Sequence, residues 1–130
     1  MSAADGMTYM RIIYVEDNLA NVALIERICQ MNNDELVTYS DAEQALSEIQ
    51  PGYSDLILMD LHLGNRSIDG LQLTRLLRQK GVSEPIIAIT AYDTMGFADQ
   101  YAAAGCDVYV RKPVSVRSML NLINTYRNAG

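Results

Sequence analysis

The chain has 130 residues, 49% of them hydrophobic and 20% charged, enough to bury one core and unlike a disordered or fibrous protein. Ten basic residues against 16 acidic ones leave a net charge of -6, a balance that repels a nucleic-acid backbone. No apolar run approaches the roughly 20 residues that span a bilayer, and Met1 to Thr8 lacks the basic and apolar regions of a signal peptide, so a cytoplasmic protein in contact with neither nucleic acid nor membrane is expected.

The first apolar run, Met10 to Val15, reads as a strand and stops at the acidic pair Glu16-Asp17. Asn18 is placed to cap a helix whose inward face carries Leu24, Ile25, Ile28 and Cys29. Leu36 to Tyr39 makes a short second strand. Ser40 and Glu43 have the spacing of a capping box opening a helix to about Ile49, and Pro51-Gly52 ends it. The third strand, Leu56 to Met59, is apolar throughout, as a strand buried on both faces is, and delivers Asp60 at its C-terminal end.

Leu61 to Asp69 reads as loop, followed by a helix with Leu73, Leu76 and Leu77 inward that Gly81 closes. Pro85 leads into a fourth strand, Ile86 to Ile89, which ends at Thr90. A helix with Phe97, Tyr101 and Ala104 on one face stops at Gly105. The fifth strand, Val108 to Val110, ends at Arg111-Lys112-Pro113, and Ser115 caps a last helix that buries Met119, Leu120, Ile123 and Tyr126. Strands alternating with helices predict an α/β fold with a parallel sheet covered on both faces. The domain is expected over residues 10–127, with a flexible N-terminal segment at 1–9 and a tail at 128–130.

In such a sheet, ligands sit beyond the carboxyl ends of the strands. Strand one ends in Glu16 and Asp17, strand three in Asp60, strand four in Thr90 and strand five in Lys112. Any one of these is the ordinary polar residue of a strand end. A surface charge pattern, however, has no reason to place acid pair, acid, hydroxyl and lysine at the ends of four different strands. Clustered carboxylates repel unless a cation sits among them, and oxygen ligands without sulfur or paired imidazoles suit Mg2+. Asp60 is then the candidate nucleophile, forming an aspartyl phosphate, with Glu16 and Asp17 holding metal and Lys112 and Thr90 contacting the phosphoryl group. Cys29 and Cys106 read as small core residues, and the single His62 as a surface loop side chain. Tyr101 and Tyr109 read as core or half-buried aromatics, and Met7, Met31, Met59, Met95 and Met119 as core or terminal residues.

The segments V-E-D-N (Val15 to Asn18), L-I-L-M-D ending at Asp60, I-T-A ending at Ala91 and G-C-D-V-Y-V-R-K-P ending at Pro113 together resemble response-regulator receiver domains of two-component signalling, the chemotaxis-regulator type. The resemblance covers about Met10 to Arg127. It implies a flavodoxin-like three-layer sandwich, its five-stranded parallel sheet in order 2-1-3-4-5 with five helices. It implies Asp60 as phosphoacceptor, with self-catalysed phosphotransfer and slow autodephosphorylation. Mg2+ would be held by Glu16, Asp17, Asp60 and the backbone carbonyl of His62. Thr90 and Lys112 match the family's hydroxyl and lysine, the Lys112-Pro113 bond is expected to be cis, and Thr90 with Tyr109 match its switch pair. Implied partners are a histidine kinase or histidine phosphotransfer protein as donor and an output protein or domain. The latter is expected on the face of the fourth helix, fifth strand and fifth helix of a monomer or weak dimer.

The stretch from Leu61 to Ile68 departs from the family pattern: it lacks the usual Met-Pro and is longer before Asp69-Gly70. Asn18 and Asn21 beside the acid pair are similar to those of hybrid histidine kinase receivers, so a receiver fragment of such a kinase is one alternative. A small aspartyl-phosphate phosphatase is another, but it would carry a second Asp two residues on, where this chain has His62. A flavodoxin would have a Ser/Thr/Gly-rich phosphate loop where Glu16-Asp17 stands.

Overall fold

The five strands pair side by side in one parallel sheet, whose central members are apolar enough to need helices on both faces. The computed structural model describes residues 9–62, 68–91 and 98–129. Its elements alternate as β1 (Arg11–Val15), α1 (Leu19–Asn32), β2 (Glu35–Tyr39), α2 (Ala42–Glu48), β3 (Leu56–Asp60), α3 (Gly70–Lys80), β4 (Ile86–Thr90), α4 (Ala98–Ala104), β5 (Val108–Arg111) and α5 (Val116–Ala129). The sheet order is β2-β1-β3-β4-β5, all parallel, the flavodoxin-like three-layer arrangement. Central β3 and β4 are buried at every residue, which is why their sequences run apolar without alternating.

The pleat sends successive side chains to opposite faces and so builds two cores. Ile13, Val15, Ile57, Met59, Ile86 and Ala88 pack under α2, α3 and α4. Ile12, Tyr14, Leu56, Leu58, Ile87 and Ile89 pack under α1 and α5. Both cysteines are free and buried in these cores. None of the described helices is long and apolar enough to cross a membrane.

Helix ends follow local chemistry closely. Asn18 Oδ1 accepts the Asn21 N–H at 3.0 Å and Ser115 Oγ accepts the Ser118 N–H at 3.0 Å, both as expected from sequence. The capping box assigned to Ser40 and Glu43 is corrected: the cap of α2 is Asp41, whose Oδ1 accepts from the Glu43 and Gln44 N–H groups at 2.7 and 3.3 Å. A carboxylate at this position also opposes the positive end of the helix dipole, an advantage a serine lacks. Met31 is corrected as well, being 59% exposed. Leu24, Leu76, Leu120 and Tyr126 are half-buried rather than core. Phe97, Met7 and Met95 lie outside the described residues, as does most of the expected loop after His62.

Two arginines join distant segments in ways the sequence does not announce. Arg127 of α5 donates twice to Asp34, to Oδ1 at 2.8 Å and to Oδ2 at 2.6 Å, with side-chain exposures of only 4% and 0%. Asp34 Oδ1 also accepts the Met10 N–H, so one carboxylate ties α5 to the start of β1. Arg78 spreads its guanidinium over the carbonyls of Val82, Glu84 and Gly105 and the Asp107 carboxylate. Gly105 stands against that side chain, where a Cβ would meet Arg78 Cγ at 2.6 Å.

Candidate functional site

Backbone pairing continues one residue past three strands and thereby fixes where the polar groups start. The Glu16 N–H donates to Tyr39 O at 2.9 Å, Leu61 N–H to Ile89 O at 3.0 Å, and Lys112 N–H to Thr90 O at 2.7 Å. By the two-residue alternation, Glu16 continues the face of Ile12 and Tyr14, and Asp60 that of Leu56 and Leu58. Lys112 continues the face of Val108 and Val110. These three side chains therefore lean toward the α1 and α5 layer. Thr90 continues the face of Ile86 and Ala88, toward the other layer.

Glu16, Asp17 and Asp60 each offer a carboxylate oxygen within 4.8 Å of the other two. Glu16 and Asp60 are buried, Asp17 exposed. Lys112 Nζ lies 3.2 Å from Glu16 Oε1 and 3.4 Å from Asp60 Oδ1, and the Lys112-Pro113 bond is cis. The sequence reasoning thus names residues that the fold brings together: acid pair, central aspartate and lysine share one edge.

The electrostatics of the cluster are set by burial. Asp60 is pushed up to about 7, first by burial and then by the neighbouring Glu16, while the His62 N–H and the Lys112 charge pull the other way. Burial also works to raise Glu16, but hydrogen bonding with Asp60, Tyr14 and Lys112 and the lysine charge bring it below its ordinary value. The pair therefore holds its proton mainly on Asp60. The donor set is oxygen only, arranged around a space where positive charge is favoured, which fits a hard divalent cation.

Thr90 is fully buried. His62 is exposed overall, but it is more than a surface side chain: its Nε2 lies 3.3 Å from Thr90 Oγ1, and its backbone N–H donates to Asp60 Oδ1 at 3.1 Å. Burial and the Lys112 charge hold its imidazole below the ordinary value. Tyr109, 41% exposed, packs edge-on against Tyr101 with ring centroids 5.8 Å apart, on the sheet face that Thr90 continues. Three site features escape a reading of strand ends. Tyr14 donates to Glu16 Oε1 at 2.8 Å, Asn21 Nδ2 to the same oxygen at 3.2 Å, and Gly70 brings α3 against the Asp60 backbone. The period-2 relation of Tyr14 to Glu16 was a usable signal for the first.

A protein-family model described as the response regulator receiver domain matches residues 12–124. The polar-differentiation response regulator DivK of Brucella ovis is 30% identical over 117 residues, covering 88% of this chain and 94% of its own. A CheY-like receiver domain protein from Methanospirillum hungatei superposes with a TM-score of 0.82 at 24% identity, covering 94% of this chain and 96% of that one. The receiver domain of a sensor histidine kinase from Pseudomonas aeruginosa, with a magnesium ion coordinated in its active-site cleft, gives 0.79 at 28% identity, over 93% and 99%.

Proposed function

Because the chain belongs to the response-regulator receiver family of two-component signalling, we propose that it takes a phosphoryl group onto Asp60 from the phosphohistidine of a histidine kinase or phosphotransfer protein. The observation that carries this reading is the joint position of Asp60, the Glu16-Asp17 pair and Lys112 at one sheet edge. An Asp60 oxygen forms the new P–O bond as the donor's P–N bond breaks, and the departing ring keeps the bonding pair.

Glu16, Asp17, Asp60 and the carbonyl of His62 would hold Mg2+, in keeping with the acidic cluster and with the magnesium in the Pseudomonas receiver. When bound, that ion supplies positive charge that favours ionised carboxylates and offsets the charge on the phosphoryl oxygens. Lys112, already within reach of Asp60, contributes a second positive charge. Thr90, drawn toward the phosphoryl group, would exchange its contact with His62 and let Tyr109 turn inward from its exposed position beside Tyr101. The readout would be binding of an output protein or domain to the face of α4, β5 and α5.

Acetyl phosphate with Mg2+, followed by intact mass, tests the proposal. One phosphoryl group is expected on the wild type, and none on Asp60→Asn or in the presence of EDTA. An unmodified wild type, or a phosphoryl group retained by Asp60→Asn, would overturn it.

A further inference from the structure

The side chain of Glu16 is held by more donors than a buried carboxylate needs. Oε1 accepts from Tyr14 Oη at 2.8 Å, Asn21 Nδ2 at 3.2 Å and Lys112 Nζ at 3.2 Å, while Oε2 accepts the longer Asn18 N–H contact at 3.3 Å, and the carboxyl group also shares a hydrogen bond with Asp60. Three donors converge on an oxygen with two lone pairs. Each comes from a different element: Tyr14 from β1, Asn21 from the first turn of α1 and Lys112 from the end of β5. Lys112 is shared with Asp60, whereas the hydrogen bonds of Tyr14 and Asn21 to the acidic cluster both go to Glu16.

Neither of these two is free to choose its position. Tyr14 is 2% exposed, sealed among Ile12, Ile25, Leu58 and Ile89. Asn21 is set by its own backbone N–H, which donates to the helix cap Asn18. A tyrosine hydroxyl buried in an apolar layer needs an acceptor, but an aliphatic side chain on β1 would remove that need altogether. The hydroxyl is directed instead at a carboxylate of the acidic cluster.

We propose that Tyr14 and Asn21 are positioning residues for Glu16, clamping Oε1 so that Oε2 is the oxygen presented to the cation. The inference rests on the Mg2+ reading of the site. Without the clamp, Glu16 can follow Lys112 or turn toward α1, and the ordering of its side chain has to be met by the binding of the ion. Partners of this kind around metal ligands change affinity by about 10–100-fold when removed.

The test is a calorimetric titration of Mg2+ into the full chain, with urea unfolding of every variant measured alongside. Tyr14→Phe keeps the ring and removes only the hydroxyl, so it isolates the hydrogen bond. Its Mg2+ affinity is expected to fall about tenfold, and that of Asn21→Ala to fall in the same direction. In a Glu16→Ala background, which leaves nothing to position, Tyr14→Phe is expected to have no further effect.

A Tyr14→Phe protein that binds Mg2+ like wild type would overturn the inference, even if its urea midpoint drops, since a structural role moves stability alone. An equal loss of affinity in the Glu16→Ala background would also overturn it, by showing that Tyr14 does not act through Glu16. A wild type that fails to bind Mg2+ at all would remove the metal reading of the site itself, before any substitution is compared.

Discussion

Replacing Gly70 with Ala tests how closely the third helix is pressed onto β3, the strand that ends at Asp60. A Cβ at this position would lie 2.1 Å from the Asp60 carbonyl oxygen, 2.7 Å from Leu61 Cα and 2.9 Å from the Asp60 carbonyl carbon, whereas real Cβ contacts stay beyond 3.0 Å. All three neighbours are backbone, so no side chain can swing away and the helix start must move by nearly an ångström. Overpacking of this kind costs about 1–3 kcal/mol. The better helix propensity of alanine returns at most about 1 kcal/mol. A net loss of about 1–2 kcal/mol is expected, or roughly 3–5 °C of Tm per kcal/mol for a chain of this size. Urea unfolding followed by far-UV circular dichroism measures it, the chain having no tryptophan. Gly52→Ala is the comparison: nothing lies within 4 Å of its Cβ, and its φ of +80° confines the cost to backbone strain, about 1–2 kcal/mol. The two differ in reach. Gly70→Ala displaces the strand end that carries Asp60, so it is also expected to slow acetyl phosphate labelling, which Gly52→Ala leaves alone. A Gly70→Ala protein with an unchanged or higher urea midpoint would refute the close-approach reasoning.

Asp60, raised from its ordinary value of 3.8 to about 7, binds its proton more tightly folded than unfolded, so its contribution to stability is full below 3.8 and gone once pH has risen past about 7. In EDTA, the stability of Asp60→Asn relative to wild type is therefore expected to increase across that window, and a difference that stays flat would contradict the buried, proton-holding aspartate. Lys112→Met leaves Glu16 and Asp60, with side-chain exposures of 1% and 2%, without their cation. A loss of up to about 3 kcal/mol is expected in EDTA, smaller with Mg2+ present, and equal losses in both conditions would sink the idea that lysine and metal answer the same charge. Arg127→Met strands the Asp34 carboxylate, buried in the fold, and should cost about 3–5 kcal/mol by urea denaturation. A change below about 1 kcal/mol would show the pair to be no better than a surface ion pair.

How much of this was legible in the sequence divides along physical lines. Strand positions were readable because burial on both faces leaves no polar residue inside β3 or β4, and the site followed because polar residues could then appear only where the strands stop. The caps of α1 and α5 were readable from Asn18 and Ser115. The cap of α2 was misplaced by one residue because Ser40 and Asp41 are both good caps, and the choice between them lies in where the chain leaves β2. The Arg127–Asp34 pair was not readable, since the two residues are 93 positions apart and no local pattern links them.

His62 shows the same limit within the site. Read along the chain, a histidine two residues past Asp60 is one more polar residue in a loop. Folding places Thr90 at the end of the neighbouring strand, in line with Arg111 rather than with Asp60, and its hydroxyl 3.3 Å from the imidazole. Asp60 is paired instead with Ile89, one residue short of Thr90, so the Asp60 carboxylate and the hydroxyl sit on opposite sides of the pleat. That offset requires any group added to Asp60 to reach across the sheet edge to meet Thr90. The His62 imidazole stands beside Thr90 at that edge, so the residue type at position 62 sets what the buried hydroxyl touches.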